Sequence, residues 1–308
     1  MKILLFGSDG QVGWQLRRSL SLLGEVVALT RGSAQLCGDL ADPRGIAGTV
    51  AAVRPQVVVN AAAYTAVDKA EDEPAVAQAI NATACESLAR ASAACGAWLV
   101  HYSTDYVYDG SGERAWLETD ATAPLGAYGR SKLEGDKAVV AGNPRHLVLR
   151  TSWVFDSWGQ NFARTIVKAA CARDELSIVG DQWGAPTRAA LIADVTAHAL
   201  RQALHASGPL GLAGIYHLAA AGSTTWHAYA CLAIDEARRR GVAVRVQPDR
   251  IHAIPSAAYA ARAPRPANSR LDTGKLRRAF GLWLPPWQDG VRAVVAELAR
   301  QRDFPPNP

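Results

Sequence analysis

The chain lacks any long hydrophobic run. Its apolar stretches, such as residues 3–6, 57–59 and 98–100, are the size of strands, which excludes a transmembrane helix. It also lacks a Cys-x-x-Cys pair. The five cysteines (Cys37, Cys85, Cys95, Cys171 and Cys231) are odd in number and scattered, the pattern of reduced thiols in a cytoplasmic protein. The seven histidines show no ligand spacing, so no structural metal site is expected. Met1-Lys2 leads straight into a strand and leaves no room for a signal peptide, so the expected location is the cytoplasm. Low-complexity linkers and internal repeats are missing too. The net charge of +5 is carried mainly as scattered arginine, densest at Arg238-Arg239-Arg240 and from Arg262 to Arg278. No aromatics interleave with that arginine, so neither nucleic acid nor a membrane is an expected partner. Solvated helix faces explain most of it, and a phosphate-bearing ligand would be the functional reading of the rest.

What remains is a globular composition, 49% apolar and 20% charged, in 308 residues, enough for a single large α/β unit or two domains sharing a core. Residues 2–6 read as a buried strand running into Gly7-Ser8-Asp9-Gly10-Gln11-Val12-Gly13, and residues 14–23 read as an amphipathic helix. Strand, glycine turn and helix form the setting a dinucleotide needs. The glycines permit a tight turn and close approach, and the helix N-terminus offers free N–H groups to a pyrophosphate. A second strand at residues 26–29 ends in Thr30-Arg31, where an NAD-binding chain usually has an acid. A cation without a carboxylate favours a 2′-phosphate, hence NADPH, with NADH as the second option.

A helix is expected over residues 43–53. A third strand at 55–59 ends in Asn60-Ala61-Ala62-Ala63-Tyr64-Thr65, whose small residues would let a cofactor lie against the backbone. A long Ala-rich helix is expected at 74–94. The fourth strand, at 98–102, delivers Ser103-Thr104-Asp105 to the same edge, and a fifth is expected at 146–150. This alternation predicts an α/β fold with a doubly wound parallel sheet. Beyond residue 151 the pattern loosens. Trp153, Phe155 and Trp158 crowd a loop, and residues 181–187 read as another. Helices are expected at 161–172, 191–206, 226–240 and 287–300, with a short strand at 215–218. The expected division is a cofactor domain over 1–152, to which later segments return, and a mainly substrate-binding domain over 153–308.

Tyr128 and Lys132 stand one helical turn apart on the helix between the fourth and fifth strands. A phenol titrates near pKa ~10, and a neighbouring ammonium is expected to lower it and make a proton-transfer group. Thr104, from the adjacent strand end, could complete that site.

With these residues in view, the chain resembles the extended short-chain dehydrogenase/reductase family, and within it the reductases of dTDP-4-dehydro sugars. The resemblance runs from Met1 to about residue 300. Its specific stretches are Asn60 through Glu71, Tyr102 through Val107, Leu117 through Asp120, Arg150 through Val154, Gly184-Ala185-Pro186-Thr187, and Arg265-Pro266 with Asn268-Ser269-Arg270-Leu271. It implies a Rossmann-type sheet with a smaller interwoven α/β substrate-binding domain. The implied reaction is reduction of the C4 ketone of dTDP-4-dehydro-β-L-rhamnose by NADPH.

On that basis Tyr128 donates the proton, Lys132 holds the nicotinamide ribose and Thr104 bonds the same oxygen, while Asp105, Tyr106 and Trp153 touch the sugar. Gly10, Gln11 and Val12 meet the pyrophosphate, Asp39 and Leu40 the adenine end, and Ala63, Tyr64 and Thr65 the middle of the cofactor. Two alternatives are a nucleotide-sugar dehydratase or epimerase and a non-catalytic NADP-binding regulatory subunit. Dehydratases of this type carry Asp-Glu after the Thr, where this chain has Asp105-Tyr106, and the subunit reading does not call for an intact Thr104–Tyr128–Lys132 set. The resemblance also raises dimerisation through Mg²⁺ held by clustered carboxylates. Two of the implied positions hold neutral Gln15 and Ala190, leaving Glu297, so a monomer or a metal-independent dimer is expected.

Overall fold

The computed structural model describes residues 1–205, 211–259 and 261–301. The first half alternates strand and helix. β1 (Lys2–Phe6) leads to α1 (Gln11–Leu20), β2 (Glu25–Leu29), α2 (Pro43–Val53) and β3 (Val57–Asn60). A short α3 (Val67–Ala70) precedes α4 (Pro74–Gln78), which passes through a π turn over Ala79–Thr83 into α5 (Ala84–Ala94). Then come β4 (Trp98–Thr104), α6 (Ala127–Gly142) and β5 (His146–Thr151).

Beyond β5 the strands shorten. β6 (Val154–Phe155), α7 (Phe162–Ala172), β7 (Leu176–Val179), β8 (Trp183–Gly184) and β9 (Thr187–Arg188) lead to α8 (Ala189–His205). After β10 (Gly214–His217) follow β11 (Thr224–Thr225), α9 (Trp226–Arg239), β12 (Ile251–Ile254), α10 (Gly274–Phe280) and α11 (Trp287–Leu298).

The main sheet has the order β10-β5-β4-β3-β1-β2, with every pairing parallel. The period-2 alternation of its strands explains the two layers of helices. Ile3, Leu5, Val57, Val59, Leu147 and Leu149 face α1, α8 and α10, whereas Leu4, Phe6, Val58, Leu99 and Val148 face α2 and α5. A separate core gathers α7, α9 and α11 around Tyr229, Ile234 and Val294.

Several boundaries differ from the sequence reading, each for a local reason. α1 begins at Gln11 rather than Trp14, because Gly10 in extended geometry already serves as its N-cap. The expected helix over 74–94 is present but contains the π turn, which a 3.6-residue period does not reveal. The 181–187 loop contains β8 and runs into β9, each two residues long and paired to distant partners, Thr224–Thr225 and Val154–Phe155. The parallel pair β7–β12 and helix α10 carry too little periodicity to be foreseen. The expected end of one helix at Ala206 lies outside the described residues.

Candidate active site

The sheet order changes direction at β1, which has β2 on one side and β3 on the other. In open α/β sheets, the crevice at the carboxyl ends of such strands is where ligands bind. Gly7 sits there with φ +75°, and a Cβ on it would lie 2.6 Å from the Ala62 nitrogen. A Cβ on Gly13 would lie 1.9 Å from the Gly7 carbonyl oxygen, so α1 meets the turn backbone to backbone. Gly10 is different. A Cβ there would meet only the Gly7 oxygen, at 3.4 Å, so the protein itself leaves that side open. The first turn of α1 has no acidic residue and no side-chain cap, so its N–H groups are left for an anion. These features fit a dinucleotide pyrophosphate.

The other cofactor residues vary in how they are placed. Val12 packs partly into the core, and the Gln11 amide is engaged with Asn161 (2.9 Å) and the Gln160 carbonyl (3.4 Å), so both offer backbone to a phosphate. Arg31 is exposed just beyond β2. Asp39 accepts a bond from the Ala41 N–H in its own turn, and the Leu40 side chain is buried in the core. Ala61, Ala62 and Ala63 are half-buried along the edge, and Thr65 is exposed. Tyr64 is fixed by Asn81, whose carbonyl accepts the Tyr64 N–H (2.9 Å) and whose NH₂ donates to the Tyr64 carbonyl (3.0 Å). Asn81 lies in the π turn and also reaches Ser131 on α6 (3.0 Å). Sequence reasoning missed it, and a lone Asn in an Ala-rich helix was the only signal.

The chemical groups converge beside this edge. Thr104 ends β4, and Tyr128 and Lys132 occupy the first turns of α6. The start of α6 is held by Glu71, whose Oε1 accepts the Ala127 N–H at 2.7 Å. A Cβ on Gly129 would lie 2.3 Å from the Tyr106 carbonyl oxygen, so α6 is pressed against the segment after β4. The rings of Tyr106 and Tyr128 meet edge to face at 5.6 Å. Thr104 donates to Asp105 (3.1 Å) and accepts the Tyr106 N–H (3.2 Å). The Lys132 ammonium donates to the Tyr102 carbonyl at 2.6 Å.

One expectation is corrected here. The phenol of Tyr128 does not become more acidic. Burial pushes its pKa up, and among side chains it is Thr104 that pulls it down. Loss of water sets the direction, and burial lowers the pKa of Lys132 as well. Tyr128 is therefore held protonated, the form a proton donor needs.

Asp105 is buried, and burial raises its pKa to about 6. Its Oδ2 has no hydrogen-bond partner. The Tyr106 hydroxyl accepts from Arg265 (3.3 Å), which is paired in turn with Asp68 (2.7 Å) across 197 residues of sequence. Arg265 and Asp68 lie in stretches that looked distinctive, but nothing local signalled that they meet. Trp153 holds φ +47°, a strained value for a bulky residue, and stacks on Trp226 with ring centroids 3.7 Å apart. Its ring fills the space a Cβ on Gly184 would need, 2.5 Å from Cε2.

A parallel sheet with a glycine turn at its switch point, and a Tyr–Lys pair on the helix beside it, defines the class. It is a Rossmann-type protein of the short-chain dehydrogenase/reductase kind. The family model described as the RmlD substrate binding domain matches residues 1–300, and the chain belongs to that family. The chain is similar to the dTDP-4-dehydrorhamnose reductase of Salmonella typhimurium, at 52% identity over 97% of this chain and 98% of the relative. It is 51% identical to the enzyme of that name from Escherichia coli strain K12, with the same coverage. Among solved structures, the dTDP-4-dehydrorhamnose reductase from Bacillus anthracis in complex with NADP is similar at a TM-score of 0.85. That likeness has 30% identity and covers 96% of this chain and 99% of that one.

Proposed function

We propose that this chain reduces the C4 ketone of dTDP-4-dehydro-β-L-rhamnose with NADPH, giving dTDP-L-rhamnose, the last step in making that sugar nucleotide. The observation that carries the reading is the meeting of Thr104, protonated Tyr128 and buried Lys132 at the ligand edge, in a chain half identical to reductases of that name. Bound NADPH supplies a hydride to the ketone carbon. Tyr128 gives its phenolic proton to the resulting alkoxide, and Thr104 hydrogen-bonds the same oxygen. A positioned acid of this kind contributes ~10²–10⁴ in rate. Lys132 has three donors, of which one is spent on the Tyr102 carbonyl and the others are left for the ribose hydroxyls. Asp105, Tyr106 and Trp153 are assigned to the sugar. The exposed Arg31 is assigned to the 2′-phosphate.

Dehydration would need a second carboxylate after Thr104–Asp105. Tyr106 stands there instead, its hydroxyl taken up by Arg265.

We assign the protein to the cytoplasm, because its five cysteines are all free and NADPH is supplied there. No helix of the described residues is long and apolar enough to cross a membrane. We read the protein as a monomer or a metal-independent dimer. Around the carboxylates that could hold a bridging ion, Gln15 donates to Asp156 (2.9 Å) and Arg188 lies between Asp156 (3.6 Å) and Glu297 (2.5 Å). A guanidinium already supplies the positive charge.

The test is NADPH oxidation with dTDP-4-dehydrorhamnose beside a panel of other nucleotide ketosugars. The dTDP-4-dehydrorhamnose should give the highest kcat/KM, and a higher value for another sugar would overturn the reading.

A further inference from the structure

Behind the Tyr–Lys pair lies a buried charge cluster that the proposed chemistry does not use. Asp136 follows Lys132 by one turn on α6, and Arg150 faces it from β5. Lys132, Asp136 and Arg150 are all at most 3% exposed. Arg150 Nε donates to Asp136 Oδ2 at 3.0 Å, and its Nη1 donates to the Tyr108 hydroxyl at 2.8 Å. Tyr108 is fixed in turn. Its ring stacks on Trp116 at 4.7 Å, and its oxygen lies 2.7 Å from His217 Nε2. His217 Nδ1 faces the Asp272 carbonyl (3.2 Å), so that nitrogen carries the proton and Nε2 accepts. Arg150 is thus locked at both ends, and with it the place of Asp136.

The other oxygen of Asp136 is the anomaly. Oδ1 is buried with no hydrogen bond of normal length, the Ser103 hydroxyl standing near the carboxylate and His101 Nε2 as far away as 3.9 Å. A bare buried carboxylate oxygen is costly unless a nearby positive charge offsets it. We propose that Asp136, fixed by Arg150, is a positioning residue that keeps Lys132, one helical turn away, charged for the cofactor ribose. This rests on the reductase reading for Lys132's role.

The groups facing the cluster leave Asp136 as the counter-charge. Cys85 on α5 has its thiol pushed up to about 11 by burial, so it is neutral at working pH. His101 on β4 is held well below its usual value by burial and by Lys132, so it is neutral too. Ser103 on β4 and Tyr128 on α6 carry no charge, and Arg150 is a second cation. Burial lowers the pKa of Lys132, and Asp136 acts against that loss. The sign follows. Without the carboxylate, Lys132 should lose its proton at lower pH, and whatever depends on its charge should fail from the alkaline side sooner.

The test measures NADPH affinity against pH by fluorescence titration, in the wild type, Asp136→Asn and the doubly neutral Asp136→Asn/Arg150→Gln, with kcat/KM profiles alongside. Asp136→Asn should shift the alkaline loss of affinity down by ~1–3 pH units. The double variant, which also removes the repelling cation, should lie between it and the wild type. If Asp136→Asn does not fold, the double variant must still show a downward shift. Uniformly weaker binding with an unmoved alkaline limb in the folded variants would reduce the pair to a structural bridge and overturn the proposal. Failure of the reductase reading would look different, as a wild type that binds NADPH but turns over no ketosugar. The shift in NADPH binding would then still decide the role of Asp136.

Discussion

On the side of the sheet edge proposed for the cofactor, Gly7, Gly13 and Ala62 meet backbone to backbone, within a stretch of chain that alternates strand and helix. On the side proposed for the sugar, Tyr106 meets Arg265 and Asp68, and Trp153 meets Trp226, side chain to side chain, and one of those links spans 197 residues. The first surface is shaped by what is missing, the Cβ atoms that would close it. The second is shaped by rings and charges that must each be brought in and held. Substitutions should therefore fail differently on the two sides. A change on the cofactor side should break the fold or the cofactor fit, and one among the reacting side chains should remove chemistry while leaving the fold intact.

The sharpest test of that contrast is Tyr128→Phe. It removes one oxygen and leaves the ring edge to face with Tyr106. The expected result is a fall in kcat of ~10²–10⁴ with an unchanged melting temperature and nearly unchanged NADPH affinity. Near-normal kcat would mean that the proton comes from another group.

Next in size is a matched pair of glycine changes. Gly13→Ala places a methyl 1.9 Å from a backbone oxygen that cannot swing away. It should cost ~3 kcal/mol of stability or more, read as a lowered urea midpoint. Gly10→Ala meets only one atom, at 3.4 Å, and should leave that midpoint near the wild type while weakening NADPH binding. If both variants lost stability alike, the openness of Gly10 would be structural slack rather than a phosphate cradle.

The same contrast explains what was legible in the sequence. Lys2–Phe6, the glycine turn, Pro43–Val53 and Trp98 through Thr104 announce themselves by local pattern, because each is defined by its neighbours in the chain. The Tyr128–Lys132 pair is legible for the same reason, being one turn of one helix. The pull of Lys132 on the phenol was misjudged because burial, which decides the direction, is set by the whole fold. Asn81 was hidden because the π turn that points it at Tyr64 breaks helical periodicity. Asp68 with Arg265, and Asp136 with Arg150, are tertiary pairs whose members nothing local links until the fold joins them.

A smaller effect is expected from Arg31→Ala, just past β2. Its guanidinium is exposed, so the fold should not register its loss. The preference for NADPH over NADH in kcat/KM should fall by roughly 10- to 100-fold, the worth of one charge-assisted contact. A wild type that prefers NADH would show that the end of β2 does not read the 2′-phosphate.

The smallest expected effect is that of removing divalent metal, which should change nothing. A hard cation needs several anionic oxygens to offset the water it gives up. Of the carboxylates near α1 and the last helix, Asp156 is fully buried, and both it and Glu297 face Arg188. Gln15 adds an amide where an acid would be needed, and Ala190 adds no oxygen at all. An ion brought there would have to displace the guanidinium or share its carboxylates against its repulsion. Sedimentation with and without EDTA and Mg²⁺ should accordingly give one mass, and the NADPH oxidation rate should be the same in both. A dimer that dissociates on chelation would show that the metal competes successfully with Arg188, whereas Arg188→Met with a newly acquired Mg²⁺ response would show that the arginine is what keeps the ion out.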